Sequence, residues 1–111
     1  MSRKEWDELV VGDIIYLFKL DISIHHRINL GIAAELKKKG EQEFIVTRVM
    51  SGRSLKVGEI VTTSGYRLSN FWTNLEEGAE WWNGVIRDAE DGLTSDYENK
   101  KRHLDKRIIR V

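Results

Sequence analysis

The sequence predicts an α+β protein, a small antiparallel β-barrel followed by a long C-terminal helix. Three observations carry this. Residues 9–72 hold short runs of β-branched and aromatic residues separated by glycine-centred turns. From Leu75 to Leu93 the apolar residues follow a helical rhythm instead. With 111 residues there is material for one modest core, so barrel (1–72) and helical extension (73–111) are expected to pack as a single domain.

Taken in order, Ser2 and Glu5 have capping-box spacing and predict one short helical turn over residues 3–9. Val11-Gly12-Asp13 then leads into Ile14–Leu20, a run of β-formers that reads as a buried strand. The segment Leu9–Ile15 matches Leu55–Val61 as L-x-V-G-acid-I-hydrophobe. Because the flanks do not repeat, this is read as one turn-to-strand device used twice rather than a duplication.

Ile22, Ile24, His26, Ile28 and Leu30 alternate with polar residues, the period of a half-buried strand, at least through Arg27. From Asn29 a helical reading competes. Asn29 is a good N-cap, Ile32, Ala33 and Leu36 share one helical face, and Lys37-Lys38-Lys39 before Gly40 resemble a helix stop. A helix over about 30–39, inserted between strands, is therefore expected. Phe44–Val49 is the clearest strand, Leu55–Thr63 holds the second glycine-acid strand, and Ser64-Gly65 turns the chain into Tyr66–Trp72.

The succession VGDIIYLF, IAAELKKKG, FIVTRV, LKVGEIV and GYRLSNFWTNLEE resembles short SH3-like or KOW-like barrel proteins, common among accessory proteins of tailed phages and their bacterial hosts. The resemblance covers about residues 9–77. It implies an SH3-like barrel with a helix in its first long loop and an aromatic-Trp-Thr segment closing it. It implies no active site, and the long C-terminal extension departs from the simple pattern.

In the tail, Thr73 and Glu76 again have capping-box spacing. Leu75, Ala79, Trp82, Ile86, Ala89 and Leu93 form a 4-3-4-3-4 stripe, extended less regularly by Tyr97, Leu104 and Ile108. One long or bent helix over 74–109 would measure about 54 Å. Gly78, Gly84 and Gly92, with a third capping box at Ser95 and Glu98, support the alternative of a helical hairpin, 74–90 and 95–109. The in-phase stripe favours the single helix.

Composition narrows the function classes. Eighteen acids balance eighteen bases, so a wholesale electrostatic nucleic-acid binder is disfavoured and any such binding needs a local patch. The chain has no cysteine, which excludes a disulfide frame and a thiolate zinc site. The N-terminus is charged where a signal peptide is apolar, and no run approaches the ~20 apolar residues of a membrane helix. The expectation is a cytoplasmic protein with no membrane partner. No phosphate loop or G-x-S-x-G context is present, so neither an enzyme nor a cofactor is expected.

Residues 71–99 carry eight acids and one base, Arg87, whereas residues 100–111 carry six bases and one acid. A basic arm for an acidic partner is one reading; favourable charge at helix ends accounts for most of the split. His25 and His26 point to opposite faces of a strand and cannot easily share an ion, and His103 lies far along the tail. Trp82 falls on the apolar stripe, where with Trp72 it would glue tail to barrel. Trp81 sits beside the stripe and is a plausible anchor for a partner.

The charged amphipathic helix and surplus aromatics point to a non-catalytic protein that docks through its helical tail. The resemblance implies a phage-type accessory protein that binds and modulates or inhibits a host protein complex. Trp81, Arg87, Lys100, Arg102, His103 and Arg107 are its expected contact residues, with homodimerisation through the C-terminal helix as a variant. The alternatives are a nucleic-acid-binding module using Lys37, Lys38, Lys39, Arg48, Arg53, Lys106 and Arg110, or a small-ligand-binding barrel.

Overall fold

A computed structural model of the chain describes residues 1–22, 28–91 and 107–110. The elements run α1 (Arg3–Asp7), β1 (Ile14–Ile22), β2 (Ile28–Lys38), β3 (Glu43–Ser51), β4 (Ile60–Thr62), a 3-10 turn (Leu68–Asn70), β5 (Phe71–Trp72) and α2 (Leu75–Asp91). The strands make one antiparallel sheet in the order β4-β3-β2-β1-β5. The α+β class is as expected, but the barrel is not closed. β4 and β5 lie at opposite edges, and no ladder joins them among the described residues.

The open sheet is nevertheless curled. β3 and β5 are three strand positions apart, about 14 Å in a flat sheet. Yet the rings of Phe44 and Phe71 stack with centroids 6.4 Å apart. Trp6, brought in by α1, packs on both at 5.6 and 4.9 Å. Two register shifts, between Ala33/Ala34 and Glu35/Leu36, leave Met50 and Thr47 of β3 as extra residues against β2. Such bulges bend a strand and increase its twist, which curls the sheet around its inner face. That face holds Ile15, Leu17, Ile32, Ala34, Leu36, Phe44, Val46, Val61 and Phe71.

The inserted helix over 30–39 is overturned, because those residues lie largely in β2. Ile32, Ala33 and Leu36 are indeed all buried, but on two faces. Ile32 and Leu36 join the inner core, while Ala33 joins Phe18 and Trp82 on the outer side. A strand covered on both faces shows adjacent apolar residues, which imitates a helical stripe. The expected cap, Asn29, is a β2 residue skipped where the register shifts between Asp21 and Ile22.

The repeated motif folds the same way twice. Gly12 and Gly58 take φ of 99° and 89°, as the third position of a type II turn requires. In the first copy Val10 N–H donates to Asp13 Oδ2 at 3.0 Å and Asp13 N–H returns to the Val10 carbonyl at 3.0 Å. In the second, Lys56 N–H donates to Glu59 Oε2 and Glu59 N–H to the Lys56 carbonyl, both at 3.0 Å. The acid locks the turn, and the next residues enter β1 or β4.

α2 covers part of the outer face. Ala79, Trp82, Ile86 and Ala89 are buried against Phe18, Leu20 and Ala33, with the Trp82 and Phe18 rings 6.0 Å apart. The helix is capped one residue later than the spacing predicted. Asn74 Oδ1, not Thr73, accepts from Glu77 N–H at 3.1 Å.

The single helix to 109 is also overturned, since residues 107–110 are not helical. They form a strap laid on α2. Asn83 Oδ1 accepts from Ile109 N–H at 2.8 Å, and its Nδ2 donates to the Ile109 carbonyl at 2.7 Å. Trp82 Nε1 donates to the Arg107 carbonyl at 2.6 Å, and Ile108 and Ile109 pack into the outer cluster. These side-chain bonds occupy backbone groups a helix would pair internally. The first arm of the hairpin alternative corresponds to α2. Its second arm fails at 107–109, while 95–106, with the Ser95–Glu98 cap, lies outside the described residues.

Candidate functional site

Gly78 decides how closely α2 approaches the sheet. A Cβ there would fall inside the Phe18 ring edge and 3.1 Å from Trp72 Cγ, so only glycine lets the helix start sit so low. This close approach sets Trp81 of α2 beside Trp72 of β5. Their ring centroids are 6.3 Å apart and their planes meet at 33°. Glu77, Trp81, Gly84 and Asp88 follow at 4-3-4 spacing, a second helix face next to the buried stripe.

These residues, with Glu80 and Val85, line an open groove of about 580 Å³. Three exposed carboxylates, Glu77, Glu80 and Asp88, border it, and among the described residues no basic side chain does. Gly84 contributes no side chain, and a Cβ added there would meet nothing within 4 Å. Trp81 is 37% exposed, the one aromatic among the exposed large hydrophobic residues described. The Trp72 indole nitrogen is shielded from solvent and has no hydrogen-bond partner among the described residues. On its other side Trp81 borders a second groove, of about 370 Å³, with Lys19, Asp21 and Arg67.

The expected contact residues are only partly assembled. Trp81 stands in the groove, whereas Arg87, although exposed on α2, does not line it. Arg107 is committed internally. Its carbonyl accepts from Trp82, and its Nη1 donates to Ser51 Oγ at 3.1 Å. Lys100, Arg102 and His103 lie outside the described residues, as do Lys106, His25 and His26.

The described cations of the alternative reading differ in their surroundings. Lys38 Nζ donates to the Leu9 carbonyl at 3.2 Å, and Arg48 lies opposite Glu35 in the β2–β3 register. Lys37, Lys39, Arg53 and Arg110 are exposed. Among the described residues no three His, Asp or Glu side chains converge as a metal site, and no helix is long and apolar enough to cross a membrane.

Sequence reasoning found Trp81 but missed its companions. Trp72 read as glue alone, and Glu77 and Glu80 entered only in the count of acids over residues 71–99. The 4-3-4 spacing through Gly84 and Asp88 was the available signal. A further surface went unseen, a cross-strand row of exposed Ile14, Lys37 and Ile60 with half-buried Ile45 between them. Comparison with protein-family models, curated proteins and solved structures returned no match.

Proposed function

We propose that this chain is a non-catalytic binding protein that docks on a partner protein through the Trp72–Trp81 face of α2. The observation that carries the reading is Trp81 itself, 37% exposed beside a second indole in an open groove. An exposed tryptophan beside a second aromatic surface gains most by being covered, and tryptophan is the residue type most enriched among interface anchors. That the partner is a host complex, modulated by a phage-type accessory protein, rests on the resemblance of residues 9–77. The SH3-like parentage of the fold belongs to the same proposal, supported by the curled five-stranded antiparallel sheet and not by a closed barrel. The nucleic-acid reading takes second place, because Lys38 is engaged and Glu35 interrupts the cations on the sheet.

The test is affinity capture from the native host with the tagged full chain, with and without nuclease, identified by mass spectrometry. A protein set retained by the native sequence, indifferent to nuclease and lost with Trp81→Ala is the expected result. Capture that vanishes with nuclease, or that survives Trp81→Ala unchanged, overturns the proposal. Trp81 is outside both cores, so circular dichroism should show the variant folded.

A further inference from the structure

The two glycines of the described part of α2 differ in a way that points to an occupant. Glycine inside a helix is disfavoured relative to alanine. At Gly78 the fold supplies the reason, because Phe18 and Trp72 leave no room for a Cβ. At Gly84 the described residues supply none. A Cβ would meet nothing within 4 Å, and no positive φ requires glycine there. What the missing side chain does instead is leave bare helix backbone in the groove beside Trp72 and Trp81.

Charge says what belongs in that space. The groove combines two indole rings with Glu77, Glu80 and Asp88, and no cation lines it among the described residues. An indole face attracts a cation placed within about 6 Å of its centroid, and carboxylates add to the attraction. Phosphate or an acidic peptide would be repelled by the same three groups. From this complementarity we propose that the groove seats a lysine or arginine side chain from an extended basic segment of a partner protein. The cation lies against the indoles between the carboxylates, and the stem of the side chain lies over Gly84. The inference rests on the docking reading above and names the chemistry of the partner.

The experiment uses the full chain labelled with nitrogen-15 and follows the indole N–H resonances of its four tryptophans. The probes are capped glycine-serine peptides carrying a central Lys-Leu-Arg, and a matched control carrying Glu-Leu-Glu. Saturable shifts confined to Trp72 and Trp81 are expected with the basic peptide, at a dissociation constant of about 1 mM or tighter. Trp82, whose indole is already bonded to the Arg107 carbonyl, should stay in place. Replacing Glu77 or Glu80 by Gln should weaken binding about threefold each, more so at low salt. Gly84→Leu fills the groove with a good helix former and should abolish binding while the circular dichroism spectrum is unchanged.

No saturable shift up to about 10 mM, equal shifts with the acidic control, or undiminished binding by Gly84→Leu each overturn the inference. Its failure is distinguishable from failure of the docking reading. A captured partner lost with Trp81→Ala but kept by the doubly neutralised Glu77→Gln, Glu80→Gln chain would leave docking standing and remove the cationic occupant.

Discussion

The same substitution at two positions of one helix should move stability in opposite directions. Gly84→Ala removes the entropic cost of a helical glycine and adds a Cβ to open space, a gain of about 1 kcal/mol. Gly78→Ala gains the same propensity but drives its Cβ into the Phe18 ring, 2.6 Å from Cδ2, and to 3.1 Å from Trp72 Cγ. Phe18 is fully buried, with Trp82 packed against it, so the ring has little room to yield. Overpacking of this kind costs about 1–3 kcal/mol, and a clash this close belongs at the upper end. Net destabilisation is then about 2 kcal/mol.

For a chain of this length each kcal/mol shifts Tm by about 4 °C. Thermal unfolding followed by circular dichroism should therefore show Gly84→Ala about 4 °C above, and Gly78→Ala about 8 °C below, the native chain. A double-mutant cycle sharpens the test, since in a Phe18→Leu background the cost of Gly78→Ala should largely disappear. If Gly78→Ala stabilises as much as Gly84→Ala, α2 does not sit on Phe18 as described. The Trp72–Trp81 groove would then lose its geometric basis.

Two further outcomes follow from the strap and from Tyr66. Asn83→Ala removes both hydrogen bonds to the Ile109 backbone and should lower stability by about 1–3 kcal/mol in urea unfolding. Faster amide exchange at Ile109 should accompany it, and unchanged exchange there would refute the clamp. Burial, aided by the negative charge of Glu59, raises the Tyr66 hydroxyl above its ordinary value of about 10. With the folded pKa above the unfolded one, this contribution is whole below about pH 10 and is lost as pH rises through the folded value. Urea midpoints between pH 8 and about 11 should fall less steeply for Tyr66→Phe, and parallel curves would contradict the assignment.

What was legible in the sequence is what local patterns encode. Ser2 and Glu5 do cap α1, each bond at 3.1 Å, and the twice-used glycine-acid turn does open β1 and β4. β1 and β3 follow from their runs of β-formers, and the buried stripe of α2 from its period of 3.6. The failures all lie where distant residues decide. β2 looked helical because α2, more than forty residues later, buries Ala33 from the other side. Closure of the sheet depends on whether β4 meets β5, which no short pattern reports. The strap depends on one Asn83 amide recognising a backbone 26 residues away. On α2, Gly78 and Gly84 look equivalent in sequence, and only the position of Phe18 tells the closely packed one from the one that lines the groove.

An open sheet has two borders where unpaired amides and carbonyls can recruit a foreign strand, the first step of edge-to-edge aggregation. Here the two outermost strands are short and each covers only part of its neighbour, β5 pairing with Tyr16 and Leu17 of β1 and β4 with Glu43–Ile45 of β3. β5 offers only Phe71 and Trp72, and β4 only Ile60–Thr62, before the chain turns away. Two or three residues are too few to template a lasting ladder with another molecule, but among the described residues they leave Phe18–Ile22 of β1 and Thr47–Ser51 of β3 without a ladder partner on that side. By leaving its barrel unclosed, the chain keeps two borders, and among the described residues those two stretches are where edge-to-edge pairing has room to begin.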